Sequence, residues 1–263
     1  MRYTVLIKNG TIVDGTGRPP YQADIGILGS TIKSIRPVGQ LEEADTILDA
    51  SNLYVSPGFI DITSHSDTYG TLFSVPSQDS LITQGVTTIL VGNCGYSLAP
   101  IYKKGALDDL ARWTTSEQLN ADWSSVAEYY ESLKKIGVSI NVATLVGHET
   151  LKQNGSTIEE MVLLLERAFD EGVWGLSSNI SLLTRAEETQ AELKAFLPII
   201  KKHNGVFKVH LGDEGKDMLP AIASVLALAR ETGARTVISH LKAIGRTSWR
   251  EFRKGLRMIR NAQ

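Results

Sequence analysis

Five glycines, Gly85, Gly137, Gly172, Gly205 and Gly233, each follow a run with helical periodicity and precede an apolar strand-like run by only a few residues. A glycine there suits the left-handed C-cap of a helix. Repeated five times, it imposes alternating strands and helices, the pattern of a parallel sheet built from βα units. Strands are predicted over 59–65, 87–93, 140–147, 173–178, 206–211 and 236–241. Helices are predicted over 77–84, 122–136, 157–171, 187–203, 216–232 and about 248–262. Six units do not close an eight-stranded barrel. The fold class expected is therefore α/β, an incomplete barrel whose last strand is an edge that needs covering.

Residues 3–55 read differently. Short β-rich runs are broken at Asn9-Gly10, Asp14-Gly15 and Gly29-Ser30, which predicts a small antiparallel β element. The switch falls at Pro57-Gly58, so the expected division is 1–56 and 57–263. A net charge of −2 without a basic cluster argues against a nucleic-acid partner. The chain has no apolar run of about 18 residues, so no membrane span is expected. Its first residues are too short in apolar run for a signal peptide. A single cysteine forms no internal disulfide, which favours a reducing, cytoplasmic setting.

That cysteine, Cys94, lies at the end of a predicted strand, and His65, His210 and His240 lie at the ends of three others. Alone, a buried cysteine is more often a small core residue, and a histidine near a strand end more often a structural one. Together they make a metal site the better reading. Cys94, His210 and His240 supply three zinc ligands and leave a fourth position for water, whose pKa zinc lowers towards 7. Strand alternation would set Asp61, Thr63 and His65 on one face. Asp67, Asp213, Glu214 and Lys242 flank the candidate ligands, either as partners that orient a histidine or contact substrate, or as solvated loop charges. Asn93 either donates to a substrate or stabilises a turn with Gly95. His148 heads a loop and either lines a cleft or has no role there. His203 at a helix end reads as structural.

The segments LIKNGTIVDGTG (6–17), SPGFIDITSHSD (56–67), QGVTTILVGNCGYSLAP (84–100), LVGHETL (145–151), GVWGLSSN (172–179), HLGDEG (210–215) and ISHLKAIG (238–245) occur in one order along nearly the whole chain. With them the sequence resembles the D-aminoacylase (N-acyl-D-amino-acid deacylase) family of the metal-dependent amidohydrolases. The resemblance implies a (β/α)8 barrel and a small β-sandwich made from both chain ends. It implies zinc held by Cys94, His210 and His240, with cysteine where relatives use a carboxylated lysine. It implies hydrolysis of N-acyl-D-amino acids to a carboxylate and the free D-amino acid. In that chemistry an aspartate at the end of barrel strand 8 moves the proton.

Three departures bear on what to expect. The His-x-His common on the family's first strand is Thr63-Ser64-His65 here, and a threonine hydroxyl is a poor zinc ligand, which bears on a second metal at His65. Gly212 stands where the family carries an arginine suited to a substrate carboxylate. The likeness ends after the sixth helix, so no catalytic residue is identified. The expectation is an N-terminal portion of a longer enzyme, weakly active or inactive alone. The alternatives are another linear- or cyclic-amide hydrolase of dihydroorotase or hydantoinase type, and a non-catalytic zinc-binding fragment.

Overall fold

The computed structural model describes residues 2–108, 121–180 and 186–263. It divides into two compact units, Met1–Phe59 and Ile60–Gln263.

The first unit is one sheet. Its strands are β1 (Tyr3–Ile12), β2 (Tyr21–Leu28), β3 (Thr31–Arg36), β4 (Ala44–Asp49) and β5 (Tyr54–Val55). The order is β3-β2-β1-β4, with β5 also on β1. The pairs β1–β2 and β2–β3 are antiparallel, but β4 and β5 run parallel to β1, so the all-antiparallel expectation is corrected. The fully buried Asp24 braces the connection from β3, its carboxylate accepting the N–H of Asn9 and the N–H of Gly39, each at 2.8 Å. The Gly39 bond anchors the connection from β3, which carries the chain across to the free side of β1. Asn9-Gly10 does not end a strand, as the turn signal suggested. Asn9 takes a left-handed φ of 63°, and the β1–β2 register shifts between Ile7 and Gly10 while the strand continues.

The second unit repeats strand and helix. In chain order it has β6 (Phe59–Asp61), α1 (Thr71–Ser74), α2 (Asp79–Ile82), β7 (Val86–Val91), α3 (Val126–Ile136), β8 (Asn141–Thr144), β9 (Val146–Gly147), α4 (His148–Asn154) and α5 (Ile158–Asp170). It continues with β10 (Gly175–Ile180), α6 (Ala186–Lys202), β11 (Val206–Leu211), α7 (Met218–Thr232), β12 (Arg235–Ile238) and α8 (Trp249–Arg260). The strands form the sheets β6-β7-β8 and β9-β10-β11-β12. Only Leu145 separates β8 from β9, and its N–H bonds Val91 O at 3.0 Å, so the two sheets adjoin at the end of β7. The registered pairs β7–β8, β9–β10, β10–β11 and β11–β12 are parallel, with each strand beside its predecessor. That sequential order is how the wall of a βα barrel grows.

The helices hold this wall by familiar means. Ser125 and Glu128 form a reciprocal capping box on α3, and Gly137 ends it at φ 78°. Ile89, Val91, Leu165, Leu176, Phe196, Phe207 and Val209 meet in the core between strands and helices. Three expectations need correction. Strand β6 ends at Asp61, because the Asp61 carboxylate accepts the Thr63 N–H at 2.8 Å and turns the chain; Thr63 and His65 therefore lie beyond the strand rather than alternating along it. His148 opens helix α4, where a loop was expected. Gly205 is not the left-handed residue after α6; Asn204 is, at φ 55°. Gly205 is needed for space, since a Cβ there would lie 2.8 Å from the Phe169 ring.

This separates two neighbouring positions by experiment. Gly205→Ala is expected to cost about 1–3 kcal/mol in denaturant unfolding through overpacking against Phe169. Asn204→Gly is expected to change stability by under about 1 kcal/mol, since glycine adopts that φ without strain. Equal sensitivity at both positions would contradict the assignment.

Candidate metal centre

Cys94 lies three residues past β7, in a loop whose backbone no ordinary strand continues. Gly92, Cys94 and Gly95 have φ of 72°, 56° and 86°. A Cβ on Gly92 would lie 2.2 Å from Leu145 O, so only glycine fits there. The Gly95 N–H donates to Ser177 Oγ at 3.0 Å, and Gly95 O accepts the N–H of Glu149 at 2.9 Å at the start of α4. Gly147 packs against the same turn; a Cβ on it would lie 2.3 Å from Gly95 O. Strand β10 and helix α4 thus fix where the thiol points.

Three imidazoles surround that thiol. His210, inside β11, places Nδ1 3.7 Å from Cys94 Sγ. His240, two residues past β12 and itself at φ 31°, places Nε2 at 3.8 Å. His65 places Nε2 at 3.8 Å. Among the described residues, the donor atoms of Cys94, His210 and His240 all lie within 4.8 Å of one another. Zinc–sulfur and zinc–nitrogen bonds of about 2.3 and 2.05 Å at a tetrahedral angle put sulfur and nitrogen about 3.6 Å apart. The measured separations are close to that, and one thiol with two imidazoles is a zinc-type donor set. His65 approaches the thiol from outside this triad.

The surroundings favour the neutral form of His210 and of His65. Burial pushes His210 below the ordinary histidine range, and the neighbouring His240 adds to it. Burial, then the Lys208 charge, does the same to His65. Glu214, buried, lies 3.0 Å from His240 Nδ1 and so fixes the orientation of that ring, whose Nε2 faces the thiol. The other Glu214 oxygen pairs with Lys242 at 2.5 Å, and Lys242 is half exposed. Burial raises the Cys94 thiol, and Lys208 and Lys242 oppose it; a bound metal would hold it as thiolate.

The remaining sequence candidates sit elsewhere or are already engaged. Asn93 is buried and fully used: its amide donates to Ser64 O at 2.7 Å and Leu90 O at 2.8 Å, and its oxygen accepts from Lys208. It therefore has no hydrogen left for a substrate. Asp67 is buried, accepts the Gly92 N–H at 2.8 Å and braces the Cys94 loop; burial raises its carboxyl to about 6. Asp213 accepts the N–H of Gly215 at 2.7 Å and of Asp217 at 2.9 Å, shaping its own loop. His148 does not line a cleft. It is buried, with Nδ1 2.9 Å from Ser178 Oγ and Nε2 2.8 Å from Glu192 Oε2. Burial pushes Glu192 up, but bonds from His148 and Lys152 outweigh it and hold the carboxyl below its ordinary 4.5. His203 bonds Glu166 at 2.7 Å and stacks on Phe169.

Lys208 was missed in the sequence, though it carried a signal: one lysine in the apolar strand VFKVHL, on the face of His210. It is 1% exposed. Its ammonium donates to Ile62 O at 2.5 Å, Thr63 Oγ1 at 3.0 Å and Asn93 Oδ1 at 2.5 Å. Burial lowers it to about 8, so it stays charged at neutral pH.

No protein-family model matches the chain. It is 32% identical over 272 residues to a D-aminoacylase of Alcaligenes xylosoxydans xylosoxydans, across 99% of this chain and 55% of that protein. An N-acyl-D-glutamate deacylase from Bordetella bronchiseptica, solved with zinc and a phosphonate that mimics the tetrahedral intermediate, superposes with a TM-score of 0.85 at 30% identity, covering 100% of this chain and 56% of that one. A D-aminoacylase structure on the role of its binuclear metal centre, with one-metal activation and second-metal attenuation, gives 0.87 at 27% identity, covering 99% and 56%. The chain spans about half the length of these relatives.

Two outcomes are expected from this geometry. Gly147→Ala, distant from every ligand side chain in sequence except through Gly95, should weaken metal binding about 10–100-fold by displacing the Cys94 loop, read by competition with a chelating dye. Glu192, held low in the fold, adds stability above the ordinary glutamate range that is lost as pH falls through its lowered value, below about 4.5. Glu192→Gln should therefore flatten that acid limb of unfolding free energy and lower stability by about 1–3 kcal/mol at neutral pH. An unchanged acid limb would show the network does not matter to it.

Proposed function

We propose that this chain, similar in sequence and fold to about half of a D-aminoacylase along nearly its whole length, is the metal-holding part of a zinc-dependent hydrolase that deacylates N-acyl-D-amino acids. The observation that carries this reading is the triad of Cys94, His210 and His240, whose donor atoms lie within 4.8 Å of one another. Bound there, zinc would polarise an amide carbonyl and make hydroxide available at neutral pH. The chain's own residues position that chemistry. Glu214 orients His240, the Gly92–Gly95 turn aims the thiol, and β11 supplies His210. Glu214 is poorly placed to carry a proton, since His240 and Lys242 occupy its two oxygens. The proton-transfer group is assigned to a residue outside the triad and its orienting partners.

The substrate is a small N-acyl amino acid, with acyl and side-chain preference open to the loops. Among the described residues no helix is long and apolar enough to cross a membrane. A thiol that must stay reduced to hold metal supports a cytoplasmic setting. A cyclic-amide hydrolase of hydantoinase type is the second reading; the thiol at the ligand position argues against it.

The decisive assay offers the zinc-loaded protein a panel of N-acyl-D-, N-acyl-L- and cyclic-amide substrates and follows release of free amine. Release from the D-series is expected, and Cys94→Ala should lose zinc together with that release. Cyclic amides as the only substrates would overturn the deacylase reading.

A further inference from the structure

We infer that this site is built for a single metal ion, because the Lys208 amine occupies the oxygen cage of Ile62, Thr63 and Asn93, beside Cys94 and His65 in the chain, that a second ion would need. The inference rests on the zinc reading above and goes beyond it. A similar D-aminoacylase has a binuclear centre. Here three imidazoles reach the thiol: His210 and His240 form the triad with it, and His65 Nε2 approaches the same sulfur at 3.8 Å. A second ion sharing the thiol would sit towards His65. Its other donors would have to come from the residues just before His65 and beside Cys94.

Those donors are taken. The backbone oxygen of Ile62, the hydroxyl of Thr63 and the amide oxygen of Asn93 all accept from Lys208 Nζ. Three oxygens around a buried cation are what a hard metal ion would also seek, and an ammonium with three donors satisfies the same set. Asn93 cannot turn away, because its amide nitrogen is held by Ser64 O and Leu90 O. Lys208 cannot withdraw to solvent, because it is 1% exposed on β11, two residues from His210. The amine fills the space between these three oxygens and excludes a second ion from them. Thr63 belongs to this arrangement: its hydroxyl accepts from an ammonium, which a protonated or metal-bound imidazole at that position would not do.

Metal content per folded chain tests this without reference to turnover. The protein is equilibrated with excess zinc, freed of unbound metal, and measured by elemental analysis beside its circular dichroism. About one zinc per chain is expected for the wild type and for Thr63→His, in which Lys208 remains. About two are expected for Thr63→His combined with Lys208→Met, which removes the charge and keeps the length. Two ions in the wild type, or in Thr63→His alone, would overturn the inference, and these two proteins decide it even if the double variant fails to fold. A folded double variant that still holds one ion would also overturn it. Failure of the zinc reading looks different: the wild type would hold none, and Cys94→Ala would make no difference.

Discussion

The carbonyl oxygen of Gly95 is where the second unit is tied together. It accepts from the first amides of α4, and its glycine N–H reaches Ser177 on β10. Helix N-termini carry unpaired N–H groups, so a carbonyl aimed at one is stabilised and held. The thiol next to it therefore has one direction in which to point. Strand order then does the rest: parallel strands in sequence bring the end of β11 and the end of β12 round to the same thiol. Without the Gly95 anchor, the left-handed backbone of Cys94 would have nothing to hold it.

Much of this was legible in the chain. Periodicity and glycine placement marked each parallel strand to within a few residues, because burial on both faces makes such strands near-continuous apolar runs. The candidate ligands were legible because cysteine and histidine are rare and sat at or near strand ends. What failed was local geometry set by side chains. Asp61 captures its own backbone and ends β6 early, which sequence alternation cannot foresee. Asn204 takes the left-handed turn that a glycine one residue on advertised. In the first unit, turn residues marked the hairpin between β2 and β3, but nothing in the run of β-rich segments showed that β4 and β5 would lie parallel to β1.

The buried polar groups divide by what they support. Asp67 and Asn93 hold the loop that carries the thiol, and Glu214 holds the His240 imidazole. His148, Ser178 and Glu192 form a separate line from α4 through β10 to α6, with Lys152 closing it towards solvent. Both sets are costly to bury and inexpensive once paired. Histidine identity alone did not distinguish them, since His148 and His210 both follow apolar strand residues. Partners made the difference: a carboxylate and a hydroxyl for one, a thiol and a second imidazole for the other.

The glycines packed around Cys94 also bear on how such a protein can diversify. Side chains added at Gly92 or Gly147 meet backbone at 2.2 and 2.3 Å, so that wall admits almost no sequence drift. Across the site, a Cβ at Gly215 would meet nothing closer than 3.6 Å, and Lys242 is half exposed. One rim of the centre is rigid in sequence and the other is free to vary. Selection for a different ligand at this centre would therefore be recorded in the loops after His210 and His240, while the loop bearing the thiol stayed unchanged.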